Sequence, residues 1–359
     1  AAEKGARRPK DVPPTKVEKL GILGAGMMGA GIAYVSAMAG QEVVLLDMEL
    51  EGAERGKAYS KGLLEKRVGR GKMTEEAAGA ILDRIHATTD FADLAGCDLV
   101  IEAVFEDRGI KADVTQKTEA VIDEDKIFAS NTSTLPITGL AEASARPDQF
   151  IGIHFFSPVD KMPLVEVILG EKTGDKAIAV ALDYIRQIRK TPIVVNDSRG
   201  FYTSRVFSTY VREGMELLKE GVKPALIENA AKMAGMPVGP LAVHDEVTIE
   251  LSYKIMKQTA ADLGDAFAAT GADEVITRFV EKLDRRGKRF GKGFYEYPEG
   301  GKKFLWPGLA DEFPPAAEQP SVETITVRLL NMQALESARC MEENVVTNAA
   351  EGDIGSIFG

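Results

Sequence analysis

The chain has 359 residues, of which 45% are hydrophobic and 28% charged, and its 55 acidic residues outnumber 44 basic ones to give a net charge of −11. These values describe a soluble globular protein that is too long for one core, so two or three domains are expected. The acidic balance argues against a nucleic-acid-binding protein. The two cysteines, Cys97 and Cys340, fit neither a disulfide framework nor a metal site, so we expect no bound metal and a reducing cytoplasm.

Residues 1–16, "AAEKGARRPKDVPPTK", are polar and contain prolines, and they are predicted to form a linker. They include no apolar segment typical of a signal peptide, and no later stretch is apolar for long enough to span a membrane. The sequence also lacks an initiator Met. We therefore expect a processed chain, a chain left by cleavage of a tag, or a piece of a longer protein.

Between Lys19 and Asn196, short apolar runs alternate with amphipathic stretches. The runs predicted as strands are "KLGILG", "QEVVLLD", "DLVIEAV", "KIFASN", "QFIGIHFF", "PLVEVIL" and "TPIVVND". Short apolar runs separated by helical segments are typical of crossover units, which predicts a mostly parallel sheet.

The first predicted strand leads into "GAGMMGAGIA", a G-x-G-x-x-G pattern that precedes a predicted helix. In this pattern the glycines allow a tight turn, the approach of a pyrophosphate to the backbone, and close packing of helix on strand. Asp47 ends the next strand, where its carboxylate can accept hydrogen bonds from ribose hydroxyls, and no arginine follows it to bind a 2′-phosphate. NAD is therefore predicted rather than NADP, and the alternative is a glycine turn that binds nothing. The residues predicted to bind the cofactor here are Gly24, Gly26, Met27, Met28, Gly29 and Asp47.

The stretch "ASNTSTL" ends another predicted strand and contains Asn131 and Ser133. Their side chains can hydrogen-bond a substrate oxygen, although runs of Ser, Thr and Asn also form ordinary turns.

His154 ends the apolar run "QFIGIHFF", at the position where open parallel sheets bind their ligands. Glu166 lies in the next apolar run, after the predicted reversal "SPVDKMP". A carboxylate paired with the imidazole would fix its tautomer and stabilise its protonated form. An imidazole beside a nicotinamide is suited to take the proton of an alcohol while the ring takes the hydride. The alternatives are a buried core histidine and a charge at a strand edge.

The other two histidines lack this context. His86 is predicted to lie on the surface and His244 at the start of a helix.

After Asn196 the spacing becomes helical, over residues 201–220, 223–235, about 244–264 and about 273–286. The segment "RLLNMQALESARCMEEN" near the C-terminus parallels "RVFSTYVREGMELLKEG". Both begin with Arg and carry Glu at the same two spacings, and each ends at Asn344 or Gly221, which suit a left-handed helix end. These similarities predict a second copy of a helical repeat.

Together these motifs resemble the 3-hydroxyacyl-CoA dehydrogenases. The narrower resemblance is to the dehydrogenase part of the multifunctional α-subunit of the fatty-acid β-oxidation complex. It extends from about residue 16 to residue 359 and rests on "GAGMMGAGIA", "SNTSTL", "HFFSPVDKMPLVEV", "GFYTSR", "GMPVGP" and "GKGFYEY", in that order.

The resemblance implies an α/β fold: a Rossmann-type, doubly wound, mostly parallel sheet followed by an all-α domain like the C-terminal domain of 6-phosphogluconate dehydrogenase. It also implies the start of a second helical repeat. The expected divisions are a linker (1–16), an NAD-binding domain (17–199), a helical substrate and dimerisation domain (200–298), a second linker (299–323) and a truncated second repeat (324–359).

The resemblance also assigns roles to residues of this sequence. His154 matches the catalytic base, Glu166 its paired acid, and Ser133 the serine that contacts the substrate's 3-oxygen and the cofactor. Glu106 and Lys111, in "VFEDRGIK", match positions that line the cofactor site.

Two positions depart from the pattern of single-function members, which commonly have Asn where this chain has Ser157 and Ser204. Serine donates a hydrogen bond but reaches less far than an amide. Ser157, Ser204 and Asn131 are therefore the weaker candidates for contacts with the substrate. The two serine motifs look more like the multifunctional branch, in which an enoyl-CoA hydratase domain precedes the dehydrogenase.

The expected function is NAD-dependent oxidation of L-3-hydroxyacyl-CoA in fatty-acid β-oxidation, by a fragment whose hydratase domain is absent. Expected partners are the acyl-CoA substrate, a thiolase β-subunit and a second copy bound through the helical domain, with no nucleic acid. The alternatives are a dehydrogenase of a related non-CoA hydroxyacid and an NAD-binding assembly module without turnover.

Overall fold

A computed structural model describes residues 7–359 of the chain. Within these residues the chain forms two compact units. The first ends at Ser204 and also includes Cys340–Gly359, and the second is Arg205–Arg339. No helix in the described part of the chain is both long enough and apolar enough to cross a lipid bilayer.

One eight-stranded sheet organises the first unit. Its strands are β1 (Lys19–Leu23), β2 (Glu42–Leu46), β3 (Ile85–Thr88), β4 (Leu99–Glu102), β5 (Ile127–Ser130), β6 (Phe150–Phe155), β7 (Leu164–Leu169) and β8 (Thr191–Asn196). Their order across the sheet is β3-β2-β1-β4-β5-β6-β7-β8. Neighbouring strands are parallel except for β6 and β7, which are antiparallel. The predicted α/β fold with a mostly parallel sheet is confirmed.

Helices connect these strands and then continue into the second unit. They are α1 (Met27–Met38), α2 (Leu50–Gly69), α3 (Glu75–Leu82), α4 (Arg108–Glu119), α5 (Ile137–Ala141), α6 (Asp175–Gln187), α7 (Thr203–Lys219), α8 (Pro224–Met233), α9 (Pro240–Val247), α10 (Ile249–Leu263), α11 (Gly271–Thr277), α12 (Leu309–Glu312), α13 (Val322–Glu342) and α14 (Ala349–Phe358).

The order of the strands reverses direction between β1 and β4. The chain moves outward from β1 through β2 to β3, then returns to add β4 on the other side of β1. Ligands of open α/β sheets bind outside the carboxyl ends of the strands at such a switch point. The turns after β1, β4, β5 and β6 all lie at this edge, because these strands are mutually parallel.

The second unit is helical around its own core. Buried residues from α7, α8, α11 and the following segments form that core, in which the ring of Phe279 contacts the rings of Phe294 and Phe313. The only strands here are the two-residue β9 (Tyr295–Glu296) and β10 (Phe304–Leu305), within the part of the chain that the structure covers.

The two copies of the predicted repeat lie on α7 and α13 and contact each other reciprocally. Arg328 binds Glu213 at 2.6 Å and Glu220 at 2.5 Å, and Arg205 binds Glu336 at 2.7 Å. Each copy therefore supplies the arginine that pairs with the other copy's glutamate.

The two units divide the chain differently from the ranges expected from the sequence. The segment 324–359 is shared between them, since Arg328 pairs within the second unit whereas the N–H of Asn196 donates to the carbonyl of Val345 in the first. The range 299–323 contains α12, and its Leu309 and Phe313 are buried in the helical core.

The N-terminal linker was expected over residues 1–16. Residues 1–6 lie outside the described residues. In the remainder, the Arg8 guanidinium binds the Asp183 carboxylate of α6 at 2.8 and 2.9 Å, and Thr15 donates to the same carboxylate. This part of the segment is therefore held against the first unit.

Three local predictions are corrected. The run "IHAT" forms β3, which was not predicted, and His86 on it is exposed as expected. The helix expected over about 244–264 is broken at Thr248, whose φ of 73° lies in the left-handed region. His244 was wrongly expected at a helix start: it lies in the last turn of α9 and is buried.

Candidate active site

His154 and Glu166 occupy directly opposite positions on the antiparallel strands β6 and β7. Opposite residues of such a pair project to the same face of the sheet, which brings their side chains together. The imidazole Nδ1 lies 3.0 Å from Glu166 Oε2. Both residues are buried, His154 at 6% exposure and Glu166 at 0%. The structure therefore forms the pair that the sequence predicted.

The Glu166 carboxylate is held from a second side by the start of α7. Oε1 accepts the N–H groups of Tyr202 at 2.9 Å and Thr203 at 3.1 Å, and Oε2 accepts the Thr203 hydroxyl at 2.7 Å. These donors fix the carboxylate in place.

This arrangement determines the tautomer of the His154 ring. A carboxylate can only accept hydrogen bonds, so Nδ1 carries a proton and Nε2 is the basic nitrogen of the neutral ring. The rings of Phe156 and Phe201 lie beside the imidazole, with centroids 4.6 and 6.0 Å away. The imidazole of His154 thus lies in an apolar setting with a carboxylate behind it.

The glycine turn, residues 24–29, connects β1 to α1. Gly24 has a φ of 88°, which a residue with a side chain rarely adopts, and a Cβ on it would lie 2.7 Å from the carbonyl oxygen of Ala103. A Cβ on Gly29 would collide with the carbonyl oxygen of Gly24, whereas one on Gly26 would meet nothing within 4 Å. Gly24 and Gly29 are thus required by close packing, and Gly26 leaves the outside of the turn open to a ligand.

The start of α1 fits a pyrophosphate. Its cap residue Gly26 offers no side-chain hydrogen bond, and its first turn contains no acidic residue. The first N–H groups of a helix have no partner within the helix, so an uncapped N-terminus behind a glycine turn suits an anion.

Asp47 follows β2 and touches the same turn. Its Oδ2 accepts the N–H of Ala25 and its Oδ1 the N–H of Met48, each at 2.7 Å. The carboxylate is only partly buried, so it can also accept hydrogen bonds from ribose hydroxyls. Met48, which follows β2, and Phe105, which follows β4, are 84% and 79% exposed.

The serine turn, residues 131–135, follows β5. Its backbone is held by Glu106, whose Oε1 accepts the N–H groups of Ser133 and Thr134, both at 3.2 Å, and the Thr132 hydroxyl at 2.5 Å. Asn131 Oδ1 accepts the N–H of Phe155 at 2.8 Å, which joins the ends of β5 and β6. The turn thus presents the partly exposed Ser133 beside the strand that carries His154.

Behind Glu106 lies a buried network of which only Lys111 was predicted from the sequence. Lys111 is 2% exposed, and its Nζ lies 3.2 Å from Glu106 and 2.9 and 3.0 Å from the two oxygens of Glu102. Burial would raise the pKa of Glu106, but the Lys111 ammonium and the Thr132 and Thr134 hydroxyls outweigh it and hold that pKa below its usual value. Ser130 also donates to Glu102.

Glu102 and Ser130 were not predicted as site residues. Glu102 lies inside the apolar run "DLVIEAV", and a single acid in a strand that is buried on both faces was the only signal available.

The weaker candidates lie around these turns. Ser157 is exposed, and its hydroxyl lies 3.6 Å from the sulfur of Met27 in the glycine turn. Ser204 is partly exposed and follows Thr203, which contacts Glu166. Met27 is 66% exposed, whereas Met28 packs partly against the core.

Comparison with protein-family models matches two consecutive parts of the chain. Residues 19–198 match the 3-hydroxyacyl-CoA dehydrogenase, NAD binding domain, and residues 200–297 match the 3-hydroxyacyl-CoA dehydrogenase, C-terminal domain.

Among curated proteins, the chain is similar to the fatty acid oxidation complex subunit alpha of Shewanella frigidimarina, with 39% identity over 358 residues. That match covers 96% of this chain and 49% of the relative, so the chain spans about half the length of the curated relatives it matches.

Two solved structures are also similar. The (S)-3-hydroxybutyryl-CoA dehydrogenase of Ralstonia eutropha has a TM-score of 0.73 and 33% identity, and the match covers 79% of this chain and 100% of that one. The dehydrogenase part of multifunctional enzyme 1 from C. elegans has a TM-score of 0.68 and 25% identity, with 97% and 79% coverage.

Proposed function

The chain belongs to the 3-hydroxyacyl-CoA dehydrogenase family, and on that premise we propose that it oxidises L-3-hydroxyacyl-CoA to 3-oxoacyl-CoA with NAD. The observation that carries this proposal is the buried His154–Glu166 pair at the carboxyl end of β6, the sheet edge that also carries the glycine turn. A base and an NAD-binding turn on one edge of a sheet are what oxidation of an alcohol requires.

Each residue has a separate task in this proposal. His154 Nε2 removes the proton of the substrate's 3-hydroxyl, and Glu166 stabilises the imidazolium that this step produces. The Ser133 hydroxyl donates a hydrogen bond to the 3-oxygen as it becomes a carbonyl. The chemistry that NAD supplies when bound is acceptance of the hydride from C3. The rings of Phe156 and Phe201 exclude water from the imidazole.

The cofactor roles are likewise proposals for individual residues. The N–H groups at the start of α1 bind the pyrophosphate and Asp47 the adenosine ribose, with Gly24, Gly26 and Gly29 shaping the turn. Met27 and Met28 line the same turn. Glu106 and Lys111 act from the neighbouring turn, with Lys111 behind Glu106. Asn131, Ser157 and Ser204 remain predictions for substrate contacts.

A test of this proposal compares two histidines of the same chain. We expect His154→Gln to abolish reduction of acetoacetyl-CoA by NADH, because in this direction the imidazolium must donate a proton to the 3-oxygen and Gln cannot, while the Kd for NADH measured by fluorescence stays nearly unchanged. The matched control is His86→Gln, since His86 is exposed and pairs with the exposed Asp93. Equal loss of turnover and NADH affinity in His154→Gln would contradict the assignment of the base.

The two alternatives differ in measurable ways. A dehydrogenase of a non-CoA hydroxyacid would saturate with the free acid as readily as with acetoacetyl-CoA. An assembly module would bind NADH but not oxidise it at high protein concentration. The fixed contacts of Glu166 to His154 and α7 favour retained chemistry, because an unused buried carboxylate is costly to keep.

We also propose that the chain is the dehydrogenase part of a bifunctional β-oxidation protein that includes an enoyl-CoA hydratase domain and binds a thiolase β-subunit. The support is the name and the greater length of its curated relatives. The intact mass of the native gene product and its co-purification with thiolase test this. A cytoplasmic location is part of the same proposal, supported by the buried thiol of Cys97, whose pKa burial raises to about 11.

The predicted homodimer through the helical domain is a separate question. The face of α7 that carries Arg205 and Glu213 is already covered by α13 of the same chain, so a dimer would have to use another face. Light scattering of the purified chain over a range of concentrations decides between monomer and dimer.

A further inference from the structure

Glu102, the last residue of β4, has a buried carboxylate with a complete set of polar partners. Lys111 Nζ lies 2.9 and 3.0 Å from its two oxygens, the Ser130 hydroxyl donates to Oε1, and the N–H of Val104 donates to Oε2 at 3.2 Å. The residue is 1% exposed. Glu102 therefore acts on its surroundings only through these partners.

One line of contacts runs from Glu102 to the serine turn through side chains. Lys111 lies between Glu102 and Glu106, and Glu106 in turn accepts the backbone N–H of Ser133. Two carboxylates thus share one ammonium, so removal of the charge of one carboxylate changes the electrostatic attraction between Lys111 and the other carboxylate.

A second line of contacts runs through β5. The oxygen of Ser130 accepts the N–H of Thr132 at 3.3 Å, and the backbone oxygen of Glu102 accepts the N–H of Asn131 at 2.9 Å. The serine turn is therefore connected to Glu102 in two ways: by hydrogen bonds at the start of the turn, and through Glu106.

On its other side Glu102 adjoins the glycine turn. The backbone of Ala103 donates to Leu23 at 2.7 Å, and its carbonyl oxygen lies so close to Gly24 that a Cβ there would be 2.7 Å away. The Cα of Val104, whose N–H donates to the Glu102 carboxylate, would lie 3.2 Å from that Cβ, closer than an ordinary van der Waals contact. One buried side chain thus connects both turns.

We propose that Glu102 is a positioning residue of this site, which fixes the spacing between the glycine turn and Ser133 through Lys111 and Ser130. The inference rests on the proposed function for its effect on turnover, but its effect on cofactor binding can be measured without turnover. The catalytic contacts belong to Ser133 and His154, and Glu102 acts through others.

In this proposal the charge of Glu102 serves mainly to fix the geometry of the site. A buried ion pair gives little net stabilisation, because the loss of hydration of both ions offsets their attraction. What the pair does supply is a fixed distance, since the ammonium is bound by three carboxylate oxygens and cannot move toward one carboxylate without leaving the other.

The test is Glu102→Gln in the full chain, with NADH as the probe. Gln has the size of Glu but carries no charge and has a single amide oxygen, so it can accept a hydrogen bond from Ser130 or from Val104 but not from both, and it attracts the Lys111 ammonium less strongly. We expect the Kd for NADH to rise at least threefold and kcat for acetoacetyl-CoA reduction to fall at least tenfold. Glu102→Asp, which keeps the charge, should recover part of both losses.

The matched control is Glu228→Gln. Glu228 is also buried, at 3% exposure, and accepts hydrogen bonds from two backbone N–H groups and the Tyr295 hydroxyl in the helical unit. The Glu228→Gln substitution should lower the melting temperature without changing the Kd for NADH. Ser130→Ala is a milder variant for the case in which Glu102→Gln does not fold, and it should also raise this Kd.

Coupling to Glu106 provides the decisive measurement. If Glu102 acts through Lys111 on Glu106, the double variant Glu102→Gln/Glu106→Gln should bind NADH no more weakly than the weaker of the two single variants. A Kd within twofold of wild type in Glu102→Gln, or effects that multiply in the double variant, would overturn the proposal. A wild-type protein that binds NADH without turnover would refute the proposed function, and the Kd comparison would still decide the role of Glu102.

Discussion

Glu166 lies between His154 and the first residues of α7, accepting hydrogen bonds from Nδ1 of the one and from the backbone of the other. One carboxylate therefore orients the proposed base and also binds the backbone N–H groups at the start of α7. Its substitution should change the chemistry of the imidazole and the order of that segment together.

We expect Glu166→Gln to lower kcat for acetoacetyl-CoA reduction by about 10²–10⁴-fold, the range in which general acid–base catalysis contributes. Gln carries no charge and does not stabilise the imidazolium, which in this direction donates the proton to the 3-oxygen. The measurement is steady-state kinetics at saturating NADH.

The control for this prediction is Tyr184→Phe, which removes a buried hydrogen bond of 2.9 Å to Ser36 away from the site. It should cost about 1 kcal/mol of stability and leave kcat unchanged. Similar kcat values for Glu166→Gln and wild type would contradict the role given to Glu166.

The cofactor preference should depend on Asp47. Asp47→Ser removes a carboxylate that repels a 2′-phosphate and accepts from ribose hydroxyls, at a cost of about 1.5–3 kcal/mol for a charged hydrogen bond. We expect the preference for NADH over NADPH in kcat/KM to fall by about tenfold or more. An unchanged preference would show that another residue selects the cofactor.

The buried His244 should make the helical unit sensitive to acid. Burial and the nearby Arg212 lower its pKa from 6.5 to about 3, and its Nε2 is bound to the Ser252 hydroxyl at 2.8 Å. Between these two pH values the unfolded chain binds a proton that the folded chain does not, so stability falls as pH falls. From about pH 7 to about pH 5 this loss amounts to roughly 2 kcal/mol.

This loss can be isolated by comparing urea unfolding of wild type and His244→Gln at both pH values. The neighbouring Asp245, whose pKa burial raises to about 6, changes stability in the opposite direction, but it is present in both proteins and cancels. If the wild type loses no more stability on acidification than the variant, His244 is not the group responsible.

The ion pairs between α7 and α13 should contribute measurably to the helical unit. Arg328→Met leaves Glu213, whose side chain is 10% exposed, without its 2.6 Å partner, which we expect to cost about 1–3 kcal/mol. Lys117→Met breaks a pair in which both side chains are 56% exposed and should cost less than about 0.5 kcal/mol. Equal free energies of unfolding for the two variants would contradict this ranking.

Much of the sheet could be predicted because its strands are buried on both faces and form continuous apolar runs. All seven runs correspond to strands. β3 was missed because it is a four-residue edge strand in which His86 is exposed, so its apolar pattern is too short. The break at Thr248 was missed because a left-handed φ at a threonine has no signal in the spacing of apolar residues.

The candidate site could be predicted where side chains follow strand ends. The sequence located His154 and Glu166 and suggested that they pair, but only the register of β6 and β7 shows that they lie opposite each other. Glu102 and Ser130 could not be recognised in the same way. Their importance comes from shared contacts with Lys111, which depend on how β4, β5 and α4 pack.

The reciprocal pairing of Arg205 with Glu336 and Arg328 with Glu213 has the pattern of an isologous interface, the kind that two identical subunits form about a twofold axis. Here both halves belong to one polypeptide, so their association does not depend on protein concentration. The two copies are also free to diverge, because a substitution in one no longer appears automatically in the other.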